Sequence, residues 1–346
     1  MNFISKSEFT SLMNSNFVFE KAPHIGLSIS GGPDSMALLM LVKNWIRSKS
    51  GKITVFHFDH KMRENSSKEA SWLKEYISKL GVEFHLLTWD RKNQIRLNMK
   101  NAREARYEKI LSISKKLKII HVMTAHHSDD NLETYYMRKK RNSSGLGLSS
   151  IPKVLIKENL QIIRPLLSFS KDRLISTCNF FNAKWIEDTS NLNVEYERPR
   201  VRKELSKKTT RELLKLEKEF KNRKSKNELM EKEIRNFFLN HLIFFEYGVF
   251  EIRKKKFLEC SKELKIMILK KILTTASGKI FPPKEVSVKY LINLIQLNHF
   301  FKHTLHDCLL EVNAEKILVF REISSIKEEK KIIPKGNSYL WDNRFF

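Results

Sequence analysis

The amino-acid sequence predicts an α/β protein: a Rossmann-like parallel sheet with helices on both faces, followed by a smaller mainly helical domain and a short strand-containing C-terminal segment. Three observations carry this expectation. Short β-branched runs alternate with amphipathic stretches of helical length through the first half. A glycine-serine turn sits where the first of those runs hands over to a helix, and the composition changes near residue 198. Strand-helix alternation means βαβ units and a parallel sheet, whose ligands bind at the carboxyl ends of the strands.

Taken in order, Ile25 to Ser30, Lys52 to Phe58, Val82 to Thr88 and Ile119 to Ala125 read as buried strands, and the segments between them have helical period. Arg198 to Arg235 holds fifteen Lys or Arg against seven Asp or Glu, with few apolar residues, which predicts a basic helical connector. Asn236 to Leu297 is rich in Leu, Ile and Phe at helical spacing, broken by Gly278 and by Pro282 and Pro283, so a small helical domain is expected there. Thr304 to Ile323 alternates like strands, and Lys327 to Lys335 reads as a charged tail. The expected division is a catalytic domain over 1–205, a connector over 206–235, a helical domain over 236–300 and a strand-containing segment over 301–346.

A length of 346 residues suits about two domains, each with its own core. Lys plus Arg is 65 against 39 Asp plus Glu, a net charge of +26. That surplus exceeds what solubility requires and points to a polyanionic partner. With 41% hydrophobic residues the chain has enough apolar surface to fold. Cys178, Cys260 and Cys308 are far apart and form no CxxC pair, which suggests neither a disulfide framework nor a cysteine zinc site and fits a reducing cytoplasm. The N-terminus lacks the continuous apolar core of a signal peptide. The most apolar run, Leu242 to Ile252, is far short of the roughly 18 residues of a membrane span and carries Glu246 and Glu251, so no membrane partner is expected.

Ser30-Gly31-Gly32-Pro33-Asp34-Ser35 follows the first strand directly and opens a helical run. Glycines let backbone amides approach a phosphate, the two serines add hydroxyls, Pro33 presets an early helical φ, and a helix N-terminus favours an anion. The pattern is neither the Walker P-loop nor the GxGxxG fingerprint. A plain glycine turn capping a helix would account for the glycines and Asp34 but not for both serines. His126, His127, Asp129 and Asp130 follow the fourth strand, where they could hold Mg²⁺ or move protons; a simpler role for Ser128 or Asp130 is to cap the next helix. His57 and His60 flank Asp59 at the second strand's end, which is a candidate ligand edge or an ordinary polar turn. Arg103 and Arg106, three apart on one helix, can face the same anion or simply the solvent. The i, i+4, i+7 spacing of His299, His303 and His306 would suit a metal on a helix, but the strand start predicted beside them breaks that geometry.

The SGGPDS turn resembles the pyrophosphate loop (PP-loop) of the N-type ATP pyrophosphatases, enzymes that adenylate an oxygen and release pyrophosphate. Phe56 to Arg63 resembles the HVDHGLR segment of the tRNA(Ile)-lysidine synthases. Asn101 to Tyr107 resembles their ARxxRY stretch, and Thr124 to Thr134 their AHHxDDxxET. Arg164-Pro165-Leu166-Leu167 and Trp185 to Asn191 continue the pattern in order. The likeness covers about residues 20 to 205. It includes Arg198 and Arg202 of the family's RNxxR, although Pro199 replaces the asparagine.

The resemblance implies ATP and Mg²⁺ as cofactors, with tRNA(Ile) bearing a CAU anticodon and free L-lysine as partners. It implies that AMP is first attached to the poor leaving oxygen at C2 of the wobble cytidine, and that the ε-amine of lysine then displaces it. Ser30, Gly31, Gly32, Pro33, Asp34, Ser35 and His57 are the expected nucleotide-binding residues, and Asp34 and Asp130 the expected metal ligands. Asp34, His126, Asp130, Arg106 and Arg202 are the expected catalytic residues, with His126 and Asp130 placed to release the lysine proton. The basic connector and the 236–300 domain are expected to grip the tRNA. A tRNA thiolase is disfavoured because no CxxC is present. A small-molecule amidating ligase leaves the net charge unexplained, and a catalytically inactive tRNA-binding protein is the rival of a different class.

Overall fold

The computed structural model describes residues 2–59, 66–88, 99–141, 148, 151–187, 197–279, 281–326, 341, 342 and 344. His60 to Arg63 of the second motif, Asp188 to Asn191 of the last and the charged tail Lys327 to Lys335 lie outside the described residues. The chain divides into two compact units, Met1–Lys224 and Ser225–Phe346.

The first unit contains helices α1 (Lys6–Asn16), α2 (Pro33–Arg47), α3 (Ser66–Lys79), α4 (Met99–Lys116), α5 (Ser128–Lys140), α6 (Lys171–Phe180) and α7 (Glu197–Ser206), and α8 (Thr210–His241) begins in it. Its strands are β1 (His24–Ser28), β2 (Lys52–Asp59), β3 (Glu83–Thr88), β4 (His121–Thr124), β5 (Val154–Lys157) and β6 (Leu160–Ile163). They form one sheet in the order β3-β2-β1-β4-β6-β5, in which only β5 runs antiparallel to its neighbour. The four strands read from the sequence are all present.

β2 is buried along its length after Lys52, as a central parallel strand covered on both faces must be. One core holds Trp45, Leu38, Leu73, Ile77 and Leu174 from α2, α3 and α6, and the other holds Ala102, Tyr107 and Ile110 from α4 against Phe56 and Val122. Helices therefore cover both faces, as expected. The chain moves from β1 to β2 on one side and returns to place β4 on the other side of β1. The resulting crevice at the carboxyl ends of β1 and β4 is where open α/β sheets bind ligands. The loop after β1 carries Ser30 to Ser35 and the loop after β4 carries Ala125 to His127.

The second unit holds β7 (Leu242–Phe245), β8 (Val249–Arg253), α9 (Lys254–Glu259), α10 (Lys262–Ser277), α11 (Glu285–Leu297), β9 (Phe301–Leu305), β10 (Cys308–Val312) and β11 (Lys316–Arg321). Its sheet has the order β7-β8-β11-β10-β9 and is antiparallel throughout. Leu242 to Arg253, expected as helix, is a hairpin. Glu246-Tyr247-Gly248 interrupts the apolar run, Gly248 takes a φ of 84°, and its N–H reaches the Phe245 carbonyl at 2.8 Å, closing the turn. The stretches 236–300 and 301–346 consequently share one sheet and one core, in which Phe250, Ile252, Leu269, Leu291, Leu310 and Val319 pack together. The basic connector is helical, and α8 runs unbroken from Thr210 to His241. His303 lies on β9 rather than on a helix, and among the described residues no group of three or more His, Cys, Asp or Glu is arranged for a metal.

Candidate active site

The loop after β1 is held by its own hydroxyls. Ser35 Oγ, buried, donates to the Gly32 carbonyl at 2.9 Å and accepts from the Gly31 N–H at 3.1 Å, while Ser30 Oγ lies 3.3 Å from Ser35 Oγ. Of the two expected hydroxyl donors, Ser35 thus turns inward to shape the loop and Ser30 stays exposed. Gly31 has a φ of 94°, which disfavours a side chain, and a Cβ there would lie 2.9 Å from Ile186 Cδ1. Gly32 is the N-cap of α2 and Pro33 its first residue, so the loop runs into the positive end of a helix dipole. Cys178 supports it from below, with Sγ–H donating to the Pro33 carbonyl at 3.2 Å. His57 is buried with Nδ1 2.9 Å from the Ile29 carbonyl, which places it beneath the loop as a prop for the β1 exit.

At the end of β4, His127 is the N-cap residue of α5, and its N–H donates to Asp130 Oδ2 at 3.1 Å. The buried His127 ring brings the two loops together: Nε2 is 3.6 Å from Asp34 Oδ2 and 3.6 Å from Asp130 Oδ2. Asp34 and Asp130, 96 residues apart in sequence (130 − 34), therefore converge on one imidazole. His126 points differently, with Nδ1 2.9 Å from Thr124 Oγ1.

α7 adds positive charge. Arg198 and Arg202 come within 3.7 and 3.6 Å of Asp130 Oδ1, and Arg202 Nε donates to Glu133 Oε1 at 2.5 Å. Arg200 is exposed. Pro199 lies in the first turn of α7, where a missing N–H deprives no helical partner. On α4, the guanidinium groups of Arg103 and Arg106 each lie 5.4 Å from the Tyr107 ring centre, and Lys157 Nζ lies 5.5 Å from it. Arg164, only 2% exposed, donates to the Pro152 carbonyl at 2.8 Å, yet its buried Nε has no partner among the described residues.

These charges separate the titrations. Burial, reinforced by Asp130, pushes Asp34 above the usual carboxylate range against the pull of His127 and Lys171. Asp130 is also pushed up by burial, but His127, Arg198, His126 and the His127 N–H outweigh this and hold it below its ordinary value. The two carboxyls are thus displaced in opposite directions, Asp34 upward and Asp130 downward. Burial, joined by Arg164, Arg198 and Arg103, lowers His126 to about 3 against the pull of Asp130. Burial raises the Tyr107 phenol, but Arg103, Arg106 and Arg164 outweigh it and hold the phenol below its usual value. Burial, with Arg103 and Arg198, lowers Arg106.

A PP-loop domain profile matches residues 1–209. The chain is 32% identical over 326 residues to the tRNA(Ile)-lysidine synthase of Rickettsia bellii (strain OSU 85-389), covering 93% of this chain and 74% of the relative. Identity to the same enzyme of Rickettsia prowazekii (strain Madrid E) is 31% over 325 residues, again 93% and 74% of the two chains. The chain belongs to the tRNA(Ile)-lysidine synthase family. The U34-tRNA thiolase NcsA from Methanococcus maripaludis, solved with its [4Fe-4S] cluster, has a similar fold. Its TM-score is 0.50 at 14% identity, over 63% of this chain and 75% of that one.

As a member of this family the chain is an enzyme, and its PP-loop domain implies use of ATP. The residues also suit Mg²⁺. Among the described residues Asp34 Oδ1 is buried without a hydrogen-bond partner, and Asp34 and Asp130 converge on His127 Nε2. A small hard cation binds through one or two carboxylates together with water and phosphate oxygens, so this donor set fits. Two residues of the site were not singled out from the sequence for a role, Glu133 as the partner of Arg202 and Arg164, whereas His127, named there as a residue that could hold Mg²⁺ or move protons, stands as the bridge between Asp34 and Asp130. The sequence signal for Glu133 was its i, i+3 spacing from Asp130, which puts both acids on one face of α5.

Proposed function

We propose that this chain ligates free L-lysine onto C2 of the wobble cytidine of a CAU-anticodon tRNA(Ile), through an adenylated cytidine, releasing pyrophosphate and then AMP. The product, lysidine, would change codon reading from AUG to AUA and amino-acid identity from methionine to isoleucine. The observation that carries this reading is the convergence of Asp34, from the phosphate loop, and Asp130, from the β4 exit, on His127, with arginines behind them.

In the first step the cytidine O2 attacks the α-phosphorus in line and pyrophosphate leaves. The loop Ser30 to Ser35 and the N-terminus of α2 bind the phosphates, and Arg106 and Arg202 stabilise charge on the α-phosphate. Mg²⁺, held by Asp34 and Asp130, would neutralise charge on the triphosphate. In the second step the ε-amine attacks C2 and AMP departs with the oxygen. The ammonium, with a pKa of ~10.4, must first lose a proton. His126 is uncharged near neutral pH; burial, with the arginines adding to it, holds it at about 3, so we assign it this proton only with bound phosphate offsetting those arginines and raising its basicity. Asp130, which is held ionised, attracts and orients the incoming cation.

Thiolation finds no support in the cysteines, since burial pushes the Cys178 and Cys308 thiols up to about 12, far from a reactive thiolate. We assign catalysis to residues 1–205, and the tRNA grip to the basic connector 206–235 and the segment 236–300. Exposed Lys207 and Arg211 exemplify the cations that a phosphate backbone needs. The test supplies ATP, labelled lysine and purified tRNAs. Label should enter CAU-anticodon isoleucine tRNA and not methionine tRNA. ATP-pyrophosphate exchange without lysine incorporation would overturn the ligase reading, and tRNA binding with neither reaction would reveal an inactive binding protein.

A further inference from the structure

Beside the phosphate loop lies a hollow of about 720 Å³ between α3 and the segment Ala183 to Glu187. Two half-buried indoles face it: Trp72 from α3, stacked on Tyr76 with ring centres 5.3 Å apart, and Trp185 from the segment. The segment is fixed at both ends of this short run, with the Lys184 N–H 3.3 Å from the Tyr76 hydroxyl and the Ile186 N–H donating to the Gly31 carbonyl at 2.9 Å. Ile186 therefore forms the wall shared by the hollow and the phosphate loop. Lys68 and Lys184 stand on the lining, with Glu69 and Glu187 beside them.

We propose that this hollow stacks the unpaired base next to the reacting cytidine in the RNA strand. The inference rests on the RNA substrate of the preceding reading and adds a second recognition subsite to it. Aromatic faces accept any unpaired base, lysines at the edge meet the phosphates that flank it, and carboxylates accept hydrogen bonds from exocyclic amines. The +26 net charge of the chain makes a strand of phosphates the natural source of such a base. With one base held against the indoles and the wall at Ile186 touching Gly31, the next base in the strand is delivered toward the phosphate loop.

The experiment uses the full chain and a CAU anticodon stem-loop with 2-aminopurine in place of the adenine that follows the cytidine. On binding wild-type protein, fluorescence should be quenched by stacking. Trp72→Ala and Trp185→Ala should each lose quenching and raise the stem-loop Kd roughly 5- to 100-fold. Trp72→Phe and Trp185→Phe should retain most of both, and ATP affinity should stay at the wild-type value. Should an alanine variant fail to fold, Lys184→Glu, on an exposed side chain, still should weaken RNA binding several-fold. Wild-type binding and quenching that survive all these substitutions would overturn the subsite while leaving the RNA reading intact. A rise in ATP Kd with RNA affinity unchanged would also overturn it, assigning the hollow to the nucleotide. Failure of wild-type protein to bind the stem-loop at all would remove the parent reading and the subsite together.

Discussion

Gly31→Ala is the sharpest test of the phosphate loop, because a neighbouring glycine supplies its own control. At a φ of 94° an alanine pays the left-handed penalty, and its Cβ would sit 2.9 Å from Ile186 Cδ1. The side-chain end of Ile186 can yield, but its N–H is tied to the Gly31 carbonyl at 2.9 Å, so relief of the contact pulls on the loop. Together these should cost about 1–3 kcal/mol. At roughly 2–4 °C per kcal/mol for a unit of this size, thermal unfolding should fall by roughly 2–12 °C. ATP affinity, measured by calorimetric titration, should drop roughly tenfold or more as the loop amides lose their alignment. Among the described residues Gly32→Ala meets only Ser30 Oγ at 3.7 Å, at an ordinary φ of −73°. Its stability should stay within about 0.5 kcal/mol of wild type, while the added methyl still obstructs phosphate approach. A Gly31→Ala protein that melts with the wild type and binds ATP equally well would refute the loop geometry as the basis of nucleotide binding.

Arg202→Met should destabilise by about 1–3 kcal/mol in urea unfolding, because it leaves the Glu133 carboxylate, 6% exposed, without its partner. Adding Glu133→Gln should recover part of the loss, and additive effects would deny the pair. His126 is held at about 3 in the fold against 6.5 ordinarily, so the unfolded chain binds its proton first as pH falls. This residue should therefore cost stability progressively from pH 6.5 down toward 3 and nothing above 6.5; His126→Gln should flatten that part of the stability-pH curve, and an unchanged curve would contradict its burial among arginines. Charge reversal at Lys207, Lys208 and Arg211 should weaken tRNA binding and reduce the slope of log K against log salt by up to about 3; unchanged affinity would remove the connector from the interface.

The catalytic half was legible because its signals are local. Ile25 to Ser30 and Lys52 to Phe58 are apolar runs of strand length, and the loop and histidine-aspartate segments follow strands directly. The hairpin β5-β6 was missed although Glu158-Asn159 lies between two strand-like runs, and Glu158 takes the positive φ of 52° that such a short turn demands. Leu242 to Ile252 misled because a half-buried hairpin with aromatics on both sides lacks clean alternation, so periodicity could not separate it from a helix. Of the residues named from the sequence, Asp34 and Asp130 meet at His127 and Arg202 stands beside Asp130, while His126 turns to Thr124. What the sequence could not supply was direction. Ser35 turning into the loop, His57 turning beneath it and Arg164 sinking to 2% exposure depend on packing between segments far apart in the chain.

The crowding of Arg103, Arg106, Arg164 and Lys157 around one phenol has a practical consequence for handling the protein. Like charges held this close push against the fold, and any compact multivalent anion that settles among them relieves the push. Sulfate or inorganic phosphate in a buffer should therefore raise the melting temperature and at the same time compete with nucleotide. Titrations in chloride and in phosphate would then report different affinities for the same chain, so the choice of counter-ion belongs among the variables of every assay above.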